Sequence, residues 1–87
     1  MGAKIVSYDV DQTVQSPTRY EDIHAALESY RYHARVTESC WVIDTRESCN
    51  RVYIKLMSIL NNSDRLFVAD LGENSEYYNI IDEDAFG

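Results

Sequence analysis

Eighty-seven residues bound the chain to one domain with a single small core, near the size at which pairing with a second copy adds useful burial. Apolar residues make up 45% of the chain and tyrosine occurs seven times, a composition that excludes an intrinsically disordered protein. Eight basic against fifteen acidic residues give a net charge of −7, and taking away Asp82, Glu83 and Asp84 leaves the body acidic, so nonspecific binding to phosphate backbones is not expected.

The first predicted element is Lys4-Ile5-Val6-Ser7-Tyr8-Asp9-Val10-Asp11, an apolar and β-branched run that ends in two carboxylates. It reads as a strand whose acidic end lies where α/β sheets present ligand sites. A polar stretch follows, and Ser16-Pro17 supplies an N-cap and a first helical residue, with Thr18 and Glu21 as an alternative capping box. Tyr20, Ile23, Leu27 and Tyr30 recur at three- and four-residue spacing and form the buried stripe of this helix, while Glu21, Asp22, Glu28 and Arg31 face water.

Residues 34–45 favour strand through Val36, Thr37, Cys40, Trp41, Val42, Ile43 and Thr45. The segment is long for one strand: either it bends near Glu38-Ser39, or it is two short strands with a tight turn there. Ser48 caps a second helix with Val52, Leu56 and Ile59 or Leu60 inward, and Asn61-Asn62-Ser63-Asp64 ends it. Leu66 to Leu71 is the next strand, Gly72-Glu73-Asn74 a turn, and Tyr77 to Ile81 a short last strand at a sheet edge or across a dimer. One domain over 1–81 and a loose acidic tail over 82–87 are expected. The pattern predicts an α+β, ferredoxin-like βαββαβ sandwich: a mixed sheet with two helices on one face.

Cys40 and Cys49 lack the spacing of a zinc site, and no apolar run is long enough to span a membrane. With no signal peptide evident, a reduced, cytoplasmic protein is expected. His24 and His33 have no second ligand at metal spacing on their own elements. Trp41 reads as core or interface, and Asp70 interrupts its strand on the side of Leu66 and Val68.

Two resemblances bear on function. Asp9-Val10-Asp11-Gln12-Thr13 fits the D-x-D-x-T/V signature of haloacid-dehalogenase-type phosphatases, but only over these residues. That family's doubly wound sheet needs a longer chain. The second spans most of the sequence. The strand ending Tyr8-Asp9-Val10, the helix, Arg35-Val36-Thr37-Glu38-Ser39-Cys40-Trp41, a second helix and Asp64-Arg65-Leu66-Phe67-Val68 resemble the small CRISPR-associated adaptation nucleases (the Cas-two family) and VapD-type ribonucleases.

That resemblance implies a ferredoxin-like homodimer in which Asp9 faces its twin and holds a divalent cation, Mg²⁺ or Mn²⁺, for cleavage of RNA or DNA. Arg35 and Ser39 match the family's R-x-x-x-S and are candidate catalytic residues with Asp9; Asp9 and Asp11 are the candidate metal ligands. The family commonly carries arginines at the start of the first helix, where this chain has Arg19 but also Glu21 and Asp22. The acidic balance therefore supports a competing expectation: a non-enzymatic, phage- or mobile-element-type protein that binds a basic partner by charge mimicry.

Overall fold

Along the first strand the burial alternates, with Lys4, Val6 and Tyr8 buried and Ser7 and Asp9 exposed, as a strand covered on one face requires. The computed structural model describes residues 2–11, 19–72, 76 and 80–82. Its elements are β1 (Gly2–Asp9), α1 (Arg19–Glu28), β2 (Tyr32–Thr37), β3 (Cys40–Thr45), α2 (Cys49–Met57) and β4 (Arg65–Asp70). The Ser16 cap, Pro17, Thr18, the Tyr77-Tyr78 pair and residues 83–87 lie outside the described residues.

The four strands form one sheet in the order β2-β3-β1-β4. Each neighbouring pair is antiparallel, which corrects the expected mixed sheet. The physical reason is the connectivity. Each helical crossover skips a position, so β1 never lies beside its parallel partner β2, nor β3 beside β4. Residues 34–45 resolve into two strands turning at Glu38-Ser39, with a register shift between Arg35 and Thr37.

Ser48 caps α2 as expected: its backbone is extended and its side chain accepts from the Arg51 N–H. Val52 and Leu56 of α2 and Ile23 and Leu27 of α1 meet Val6, Tyr8, Trp41 and Ile43 in one core. All four helix residues are fully buried. Tyr30 is also buried, but it lies beyond the end of α1, so the stripe outlasts the helix.

Both helices contribute to the core on the side of Val6 and Tyr8. The opposite side carries Ile5, Ser7, Val42 and Phe67, which the registers align across β1, β3 and β4. Phe67 is 61% exposed there.

At the far edge, the Ile81 N–H donates to the Val36 carbonyl (3.0 Å) and the Asp82 N–H to the Arg35 carbonyl (2.9 Å). The Asp82 carboxylate accepts the Arg35 N–H at 2.7 Å, so Asp82 is held beside β2. Among the described residues no helix is long and apolar enough to cross a membrane.

Candidate functional site

Strand alternation turns Asp9 away from the helices, at the C-terminal end of β1 and opposite Arg65 of β4. The two side chains are 3.9 Å apart and both largely exposed, the Asp9 carboxylate at 74%. A pair of this kind in water contributes little stability. Asp9 therefore presents an accessible hard-oxygen donor beside the apolar face that includes Phe67.

Asp11, two residues on, is anchored differently. Its N–H donates to Asp64 Oδ1 at 2.7 Å, and its carbonyl accepts from Arg19 Nη2 at 2.7 Å. Among the described residues of one chain, no group of three or more His, Cys, Asp or Glu side chains is arranged to hold a metal ion.

Arg35 and Ser39 flank the β2–β3 turn. Ser39 meets β1 through its carbonyl, which accepts the Tyr8 N–H at 3.0 Å and so brings the turn to the strand end that carries Asp9. The Arg35 guanidinium points inward: Nη2 and Nε donate to the Glu38 carbonyl at 2.7 and 3.2 Å, and the group lies 5.9 Å from the Trp41 ring centre. The Tyr20 hydroxyl donates to the same carbonyl at 3.3 Å, and the Tyr8 hydroxyl is 3.5 Å from it.

Beneath the turn, Trp41 is buried and its indole N–H donates to the Tyr8 hydroxyl at 3.1 Å, so Trp41 belongs to the core. Burial, only partly offset by this hydrogen bond, pushes the Tyr8 phenol up to about 12.

The site's electrostatics depend on Arg19, which stands at the start of the first helix, where the resembled family carries arginines. It is buried against Asp64, Nε to Oδ2 at 2.7 Å, and both side chains are at most 2% exposed. Burial alone would raise the Asp64 carboxyl. The N–H groups of Asn61 and Asp11 and the Arg19 guanidinium outweigh it and hold the group below the ordinary 3.8.

Lys4, Arg51, Lys55 and Arg65 also face carboxylates, so among the described residues five basic side chains stand within 4.0 Å of a carboxylate of the same chain. Glu21 and Asp22, by contrast, are exposed.

Asp70 takes the role of partner to the buried Lys4 at 3.0 Å, and that lysine holds its carboxyl below 3.8. Cys40 and Cys49 are free thiols, both held above the ordinary value, chiefly by desolvation; for Cys49 the Asp70 carboxylate adds to the effect. Neither is an activated nucleophile.

Sequence reading missed the Arg19–Asp64 pair and the grouping of Tyr8, Tyr20 and Arg35 on one carbonyl. The only sequence signal for either was a charged residue at a helix start and an Asp at the end of a turn.

These features define a small α+β protein with a four-stranded antiparallel sheet, two helices and an acidic strand end. No protein-family model matches the chain, and no curated protein matches it.

Proposed function

We propose that the chain is a ferredoxin-like protein of the Cas-two and VapD kind, working as a homodimer that cleaves or processes RNA or DNA with a divalent cation. The observation that carries this reading is the exposed Asp9 carboxylate at the end of β1, on the side away from the helices. One carboxylate per chain is too small a donor set for a hard cation. A two-fold axis that joins two copies through this side would supply the second, and repulsion between the twin carboxylates would favour Mg²⁺ or Mn²⁺ between them. Such a cation supplies an activated water and polarises a phosphate. Asp9 would hold it, while Arg35 and Ser39 position the adjoining turn. Asp11, tied through its backbone to the buried pair, fixes the loop leaving β1.

The test is cleavage of single- and double-stranded RNA and DNA in the presence of Mg²⁺ or Mn²⁺. Cleavage by the wild type that is lost in Asp9→Asn supports the reading. No cleavage of any of these substrates with either cation counts against the activity.

A second reading rests on a different observation: among the described residues Lys4, Arg19, Arg51, Lys55 and Arg65 each face a carboxylate of the same chain, and the net charge is −7. An acidic binding protein that occupies the nucleic-acid site of a basic partner suits that surface. For such a protein Asp9→Asn leaves partner binding nearly intact, and Glu21→Lys with Asp22→Lys weakens it and flattens its salt dependence.

A further inference from the structure

His24, on α1, stands among three aromatic rings from three elements. Its ring centre is 4.4 Å from that of Tyr20 on α1, 5.5 Å from Trp41 on β3 and 6.0 Å from Tyr8 on β1. Its Nε2 is buried and has no hydrogen-bond partner among the described residues. Arg35 of β2 reaches into the same cluster, donating to the Tyr20 hydroxyl at 3.5 Å and lying over Trp41. Among the described residues the charged and titratable groups around the imidazole are Tyr8, Tyr20 and Arg35, with Glu28 one helical turn along α1, while His33 of β2 lies 6.1 Å from the Trp41 ring centre. Of the charges among them, Glu28 favours a positive charge there and Arg35 opposes it.

We infer that His24 is an acid-sensitive catch between α1 and the β2–β3 turn: protonating its imidazole loosens Tyr20 and Arg35 from the Glu38 carbonyl and frees the turn. A neutral imidazole suits this cage, since its unprotonated nitrogen needs no acceptor that the rings lack. The imidazolium is a half-buried cation whose buried Nε2–H finds no acceptor among the described residues, close to a guanidinium of the same sign, and both effects oppose it. Tyr20 carries the change outward, because its ring is the one nearest His24 and its hydroxyl is bonded at the turn.

The same environment holds His24 below the ordinary histidine value of 6.5; burial is the largest cause, the Arg35 charge adds to it, and Glu28 opposes it. The sign follows. The unfolded chain takes up the proton first, so the stability contributed by neutral His24 is complete above 6.5 and is lost as pH falls through the lower folded value.

The test is an NMR pH titration of the full chain that follows the His24 ring, the Trp41 indole N–H and the Glu38 and Ser39 amides. His24 should titrate below 6.5, with the indole and turn signals shifting at the same midpoint. Between about pH 7 and pH 5 the wild type should lose more of its melting temperature than His24→Phe or His24→Gln. Titration of His24 at or above 6.5, or a Trp41 indole and Ser39 amide that stay still while His24 titrates, would overturn the inference. The wild-type titration decides the matter even where a variant fails to fold.

Discussion

Arg19 and Asp64, 45 positions apart in the chain, meet in a buried ion pair in which Nε stands 2.7 Å from Oδ2 and Nη2 lies 3.3 Å from Oδ1. The same carboxylate accepts the backbone N–H groups of Asp11 and Asn61. One side chain thus ties together the exit of β1, the start of α1 and the entry to β4. Three hydrogen-bond donors, with the Nε contact beside them, offset the desolvation that would otherwise make burial of a charge unfavourable.

Removing one partner leaves the other charged, buried and unpaired. Asp64→Ala and Arg19→Ala should each destabilise the fold by about 3–5 kcal/mol, measured by chemical denaturation. Arg19→Ala combined with Asp64→Ala should cost less than the sum of the two single changes. Additive losses in this double-mutant cycle would show that the pair is not coupled.

The pair also fixes an acid limit. The Asp64 carboxyl lies below 3.8 in the folded chain, so the unfolded chain binds its proton first as pH falls. The stabilisation from ionised Asp64 should be complete well above 3.8 and should decline below it. Asp64→Asn should be less stable than wild type at neutral pH, with the gap narrowing toward pH 2. A gap that stays constant through this range would mean the carboxyl is not depressed.

A third outcome concerns the core polar contact. Tyr8→Phe removes the acceptor of the buried Trp41 indole N–H and should cost about 1–3 kcal/mol, with the indole N–H resonance moving from its hydrogen-bonded position. The wild-type Tyr8 phenol, pushed up to about 12, should stay unionised in an alkaline absorbance titration after exposed tyrosines have ionised. Loss of less than half a kilocalorie, on the order of a surface change, would place the hydroxyl outside the core network.

Much of the architecture was legible because it rests on local periodicity. The alternation in β1, the Ser48 cap and the Ile23–Leu27 and Val52–Leu56 stripes each follow from neighbours within a few residues. The antiparallel order was not legible, because it depends on which strands each crossover skips. The two-strand reading of residues 34–45 stayed open because neither Gly nor Pro marks the Glu38-Ser39 turn; three side chains, from Tyr8, Tyr20 and Arg35, gather at the Glu38 carbonyl instead. The buried role of Arg19 was hidden for the same reason as the sheet order: its partner is distant in sequence. The orientation of Asp9 follows from the same local rule, since strand period alone turns it opposite to Tyr8.

The central claim is that Asp9 becomes a cation site when two copies meet, and melting temperature against divalent cation measures it most directly. A cation bound only by the folded dimer stabilises it by mass action, by about 2.7 kcal/mol at a hundred times its dissociation constant. The account predicts that Mg²⁺ or Mn²⁺ raises the melting temperature of a wild-type sample whose light-scattering mass is twice that of the chain, and that Asp9→Asn removes the rise. A wild-type protein that remains a monomer at tens of micromolar, or whose melting temperature is the same with and without either cation, would contradict it.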